Sequence, residues 1–463
     1  MRPSWGERRL PNIMAAWRHR DVRQLAWIVF RFIVAPVAVI LLGYVTWDFV
    51  ETSRLDKEMK RIRATGAPVS PEECIPEPVP EEDNGAQLIL EAGRLMKSLN
   101  LRSKKLQDVE MKQARNEAWT DDDVAVLQEI LEREDVASGL RKFEEACQRA
   151  HCVFPYDYHR GGSTAAFLKS NEQNMLFLEL NRLEQMRMDV ALALSNYDTA
   201  FQSLERQLYL ARALDGSNIT TTALTGDAMI SMVLTGTGTM VGEHDLSVSD
   251  LKRARDLIER TVGGTSLADL WRVERAVTFD WWVSPQGLAI HRNWPLRILY
   301  RAGSPALKRS LRHYLVVTER AITYATLPGL QRRDALEKLD AEVESNVGFV
   351  DKQTWYQYPV KFAIFSVSPL IEDALRSSLQ VTIAMRLHEE ETDMLPARLQ
   401  DLVPGYLPEL PKDPFTGKEL LLKVGGESVT VYSVGANGVD DGGTLGGNED
   451  VGVRLLKLEA EAS

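Results

Sequence analysis

A mainly α protein is predicted, with one N-terminal transmembrane helix, a helical body of antiparallel hairpins, and a small C-terminal α+β unit with a three-stranded antiparallel sheet. Three observations predict it. Leu25 to Trp47, "LAWIVFRFIVAPVAVILLGYVTW", is apolar apart from Arg31. From about Asn84 to Glu391 apolar residues recur at three and four spacing, the period of a helix face. Past Glu419 the period falls to two, that of a strand.

Residues 1–24 form a basic tail carrying Arg2, Arg8, Arg9, Arg18, Arg20 and Arg23. Residues 25–50 are the anchor, since roughly 20 apolar residues cross a bilayer as a helix. Arg31 can snorkel to the headgroups, and Trp27, Tyr44 and Trp47 suit the interfaces, where aromatic rings are favoured. A cleaved signal would have a shorter apolar core and a small-residue exit, which "GYVTWDFVETS" lacks. Arg54, Lys57, Lys60, Arg61 and Arg63 follow the run, so the charge bias across it is slight. Residues 51–84 read as a juxtamembrane helix and then a stalk, because 64–84 holds five prolines and six acids and is expected to be extended and polar. That stalk, and the single apolar run, favour a cytoplasmic N-terminus and an extracytoplasmic body.

Residues 85–367 are expected to be the helical body. Thr120 in "TDDDVAVLQEILERE" is a candidate N-cap with acids in the first turn, where the helix dipole favours them. "NMLFLELNRLEQMRMDVALAL" and "YDTAFQSLERQLYLARAL" meet at Ser195 and Asn196, a join short enough to make antiparallel neighbours. Two polar-aromatic islands interrupt the helices: "HCVFPYDYHRGG", with Tyr156 to Arg160, and "WWVSPQGLAIHRNWP", with Trp281, Trp282, His291 and Trp294. Each reads either as a ligand surface or as packing between helices. The net charge of −11 argues against nucleic acid as a partner. Cys74, Cys147 and Cys152 form no CxxC pair, and Cys147 and Cys152 on one continuous helix would point apart. No nucleophile elbow, zinc helix or phosphate loop is present, and His388 to Glu391 lacks a metal spacing, so no catalytic residue is assigned.

Residues 368–463 form the C-terminal unit. Ser368 and Pro369 are expected to open a helix as its cap and first residue. Glu419–Val424 and Ser428–Val434 flank Gly425 and Gly426 as a hairpin, and 451–458 can add a third strand. The connection "YSVGANGVDDGGTLGGNEDV" then joins the second strand to the third.

A long helix followed by "LPKDPFTGKELLLK", a hairpin, "YSVGANGVDDGG" and "NEDV" resembles the C-terminal part of type II secretion major pseudopilins, over about the last ninety residues. The resemblance implies calcium at Asn437, Asp440, Asp441, Asn448 and Asp450. Calcium takes roughly 6 to 8 oxygen ligands, which such residues and loop carbonyls can supply. A solvated loop is the other reading, and both stand at this point. The leader, the Gly-Phe cleavage point and the Glu of the apolar helix in that family have no counterpart in "RDVRQLAWIVFRF". Through "RIRATGAPVSPEE", "PEPVPEEDNGAQ" and "HCVFPYDY" the chain as a whole looks similar to large bacterial envelope proteins with one N-terminal anchor, a likeness that implies no activity. The expected role is a membrane-anchored binding or scaffolding component of the cell envelope, attached through residues 25–50 and facing a protein or envelope polymer. An extracytoplasmic hydrolase with a site assembled from distant residues is the competing reading.

Overall fold

The apolar run forms the first part of one long helix, α1, Ala26–Arg63. This computed structural model describes residues 26–99, 101, 103–115, 117, 119–154, 162–217, 219–283, 305–346, 361–446 and 449–456. The apolar window of α1 has a mean hydropathy of 2.4 and none of it is buried. Val39, Ile40, Leu42 and Phe49 all lie outward and exposed. A helix that is apolar all round and uncovered by protein is long and apolar enough to span a membrane.

Within a turn of that sleeve the surroundings of α1 change. Asp48 pairs with Lys308 at 2.7 Å and Glu51 with Arg312 at 3.7 Å. Leu55 and Ile62 then enter a core with Phe279, Leu307, Leu311 and Leu315. Within 64–84, residues 67–74 pack on the body, whereas 75–80 have no helix or strand and are mostly exposed, as expected of a proline-rich spacer. Val69 is buried in the same core, Cys74 is buried, and Pro71–Cys74 makes a short 3-10 turn. Fully buried Arg275 donates to the Pro68 carbonyl at 2.8 Å. The prolines fix the path of this segment, while the apolar side chains between them tie it to the body.

Twelve further helices follow among the described residues: α2 Ala86–Ser98, α3 Lys104–Ala114, α4 Asp121–Glu132, α5 Glu134–Cys147, α6 Gly162–Ala193, α7 Tyr197–Asp215, α8 Thr220–Glu243, α9 Val248–Glu259, α10 Leu267–Val283, α11 Pro305–Ala325, α12 Gly329–Asn346 and α13 Ser368–Thr392. Thr120 caps α4 and Asp123 reciprocates, so two amide donors of the first turn are satisfied. The α6–α7 hairpin turns at Ser195, held at φ 54°, and Asn196 caps α7 by accepting from Thr199 N at 3.2 Å. Phe143, Phe177, Phe201, Leu204 and Val233 form the centre of the main core, where α5 to α8 meet. Ser368 is the first residue of α13 and not its cap, since Val367 takes the cap position with a helical backbone and no side-chain bond. The 3-10 turn Phe362–Ser366 runs almost directly into α13, which leaves no extended residue to act as a cap.

Strands β1 Leu421–Val424, β2 Ser428–Ser433 and β3 Val451–Leu456 form an antiparallel sheet in that order. Leu421 pairs with Tyr432, and Val431 with Val453. Val429, Val431 and Leu455 pack on Val381, Ala384 and Met385 of α13. Leu379, Ile383 and Leu387 of the same helix belong to the main core. Helix α13 is therefore shared by the body and the sheet.

Candidate functional site

Among the described residues a cleft lies between α3, α4, α6 and α8, with a volume of about 170 Å3. Leu178, Asn181, Arg182, Gln185, Met186 and Asp189 line it from α6. They recur at three and four spacing and so share one helix face. Val109 and Glu110 of α3, Trp119 before α4, Leu127 of α4 and Met232 of α8 complete the walls. The interior is mostly apolar with a few polar groups, the usual make-up of a ligand site.

Arg182 is held between two acids, its Nε 2.8 Å from Glu110 and its Nη1 2.9 Å from Glu179. Gln185 donates to Asp189 Oδ1 at 2.9 Å. Asn181 is 2% exposed, and its Nδ2 reaches Met232 Sδ at 3.4 Å while its Oδ1 has no partner. Turning the amide over would set oxygen against the sulfur lone pairs, so the sulfur contact fixes which atom is left unpaired. Leu168, Met175 and Leu178 remain exposed along α6, an apolar stripe that reaches the cleft.

A second group of titratable side chains lies where α7, α8 and α13 meet. Burial, together with the charge of Asp215, pushes Asp227 up to about 7. Burial, with the charge of Asp227 behind it, pushes Glu372 up to about 8. Asp215 itself accepts from Thr265 N at 3.0 Å and pairs with Arg212 at 3.4 Å, so it fastens the start of α10 to the end of α7. Perturbed acids often mark sites, but these sit within a structural junction.

No family model, curated protein or solved structure matches the chain.

Four of the five residues expected to hold calcium are described, and Asn448 lies outside the described residues. Asp450 is 1% exposed and turned inward, accepting from Gly443 N at 2.7 Å and Asp441 N at 3.3 Å. Asp440 accepts from Tyr432 Oη at 3.0 Å and Gly442 N at 2.9 Å, and Asp441 accepts from Asn437 Nδ2 at 2.8 Å. These carboxylates accept hydrogen bonds within the loop. Among the described residues no group of three or more acids, histidines or cysteines is placed to hold a metal. Calcium at these residues rests on the resemblance.

Tyr156 to Arg160 of the first polar-aromatic island, and His291 and Trp294 of the second, lie outside the described residues. Cys74, Cys147 and Cys152 form no disulfide among the described residues. Helix α5 ends at Cys147, so Cys152 is not on the same helix. Burial pushes Cys74 up to about 11 and Cys152 up to about 12, which makes them poor nucleophiles at neutral pH. The cleft residues escaped the sequence reading because Asn181, Gln185 and Asp189 look there like the solvated face of a long helix. Their only signal is an i, i+4, i+8 polar row, which the cover of α3 and α4 turns into a wall.

Proposed function

We propose that the chain is a membrane-anchored binding or scaffolding component of the cell envelope, with its N-terminus in the cytoplasm and its body on the far side. The observation that carries this reading is α1, whose uncovered apolar sleeve passes within one turn into ion pairs and core contacts with the body. Such a joint holds the body close to the membrane surface instead of at the end of a spacer. The cleft and the apolar stripe of α6 support binding, because an exposed apolar surface beside a recess marks an interaction site.

A pair of reporters fused after Ser463, one active only outside the cytoplasm and one active only within it, tests the orientation. Signal from the external reporter alone is the expected result. Signal from the cytoplasmic reporter alone would reverse the assignment.

A further inference from the structure

The joint where α1 leaves its apolar sleeve carries more positive charge than its own ion pairs use. Asp48 accepts from Lys308 Nζ at 2.7 Å. Glu51 is buried between two arginines, with Arg54 Nη1 3.0 Å from its Oε1 and Arg312 Nε 3.7 Å from its Oε2. The longer of these distances is beyond a hydrogen bond, and neither Arg312 Nε nor Glu51 Oε2 has a hydrogen-bond partner. Arg309 follows Lys308, is exposed, and makes no ion pair or hydrogen bond among the described residues. Arg309 and Arg312 stand three apart on α11, so their side chains are neighbours on the helix surface. Four cations, Arg54, Lys308, Arg309 and Arg312, thus gather around two acids, Asp48 and Glu51, a surplus of two positive charges. Beyond them Asp56 and Lys57 of α1 are both exposed and offset each other.

The height of this group above the apolar segment decides what it meets. Trp47 ends the apolar run and Asp48 is the next residue. At 1.5 Å per residue, Asp48 to Arg54 covers about 9 Å along the helix axis. The headgroup layer on each face of a bilayer is roughly 5 to 8 Å deep. With α1 in a bilayer, the surplus charge therefore stands at the level of the lipid phosphates. A guanidinium matches a phosphate with two parallel N–H bonds, and fixed cations this close to a membrane favour anionic over zwitterionic lipid.

We propose that Arg54, Arg309 and Arg312, with Lys308 beside them, bind the phosphate of an anionic phospholipid bordering α1. The body thereby adds a lipid contact of its own to the anchor, through residues from a distant part of the chain. The proposal deepens the reading of α1 as a membrane anchor and rests on it. It does not depend on which side of the membrane the body lies, so a reversed orientation would leave it standing.

Electron spin resonance of the full chain in phosphatidylcholine vesicles tests it, with a trace of spin-labelled phosphatidylglycerol or spin-labelled phosphatidylcholine as the probe. The motionally restricted fraction of each label measures its association with the protein. Phosphatidylglycerol should associate about fivefold more strongly than phosphatidylcholine. Arg309→Glu, at a position with no partner to lose, should at least halve that ratio with helical content unchanged, and adding Arg312→Gln should bring it close to parity. Equal association of the two lipids with the parent chain, or a ratio indifferent to Arg309→Glu, would overturn the proposal while leaving α1 in the bilayer. Full displacement of the labelled phosphatidylglycerol by millimolar glycerol phosphate would show a site for free phosphate and would overturn it as well. No restricted fraction with either label would overturn the proposal together with the anchor on which it rests.

Discussion

Asp450 shows how much one buried carboxylate can organise. Its two oxygens take the amides of Gly443 and Asp441, and in this way it ties the loop between β2 and β3 together. Asp450→Ala leaves both donors without a partner, and the expected loss is about 3 kcal/mol in a denaturant titration. The acids at the α7, α8 and α13 junction give a pH dependence whose sign follows from their raised values. Asp227 moves from an ordinary 3.8 to about 7 and Glu372 from 4.5 to about 8, so the folded state holds protons that the unfolded chain has released. Their contribution is full below about pH 4 and fades as pH rises through 7 to 8. The urea midpoint should therefore fall between pH 5.5 and 8.5, and Asp227→Asn should flatten that fall. The glycines and acids of 432–451 could be read as a tight loop from sequence, but the inward turn of Asp450 could not, because it depends on where β3 returns.

At the scale of elements, the α6–α7 hairpin was legible because its two amphipathic runs are long and the join at Ser195 and Asn196 is short. The three strands were legible from the change of period and from Gly425 and Gly426. The packing of 67–74 was not, since Ala67 and Val69 are too few among prolines and acids to form a pattern, although they meet a prepared core. Removing residues 1–83 would uncover Phe279, Leu307, Leu311 and Leu315, and each buried side chain lost from α1 or its extension forfeits about 1.5 to 3 kcal/mol. A fragment starting at Asn84 is expected to aggregate or bind a hydrophobic dye, whereas one starting at Asp48 should elute as a folded species on gel filtration. Gly242 of α8 sets another contact, because a Cβ there would meet the Arg454 carbonyl of β3. Gly242→Ala should cost about 1 to 3 kcal/mol by overpacking, read as a lower melting temperature. A variant as stable as the parent would show that β3 can shift away from α8 without loss.

For the whole molecule, the sequence could mark the helix long and apolar enough to span a membrane and the helical character of the body, since both rest on long patterns. It could not show that the two are in contact, because Asp48, Lys308, Glu51 and Arg312 are brought together across about 260 residues of chain. It could not show the cleft either, whose walls come from four separate helices and one turn. The central proposal is that the exposed sleeve of α1 attaches this body to a membrane. Alkaline carbonate extraction of membranes from cells making either the full chain or residues 48–463 tests it most directly. The account predicts the full chain in the pellet and the 48–463 chain in the supernatant. Both chains in the supernatant, or both in the pellet, would contradict it.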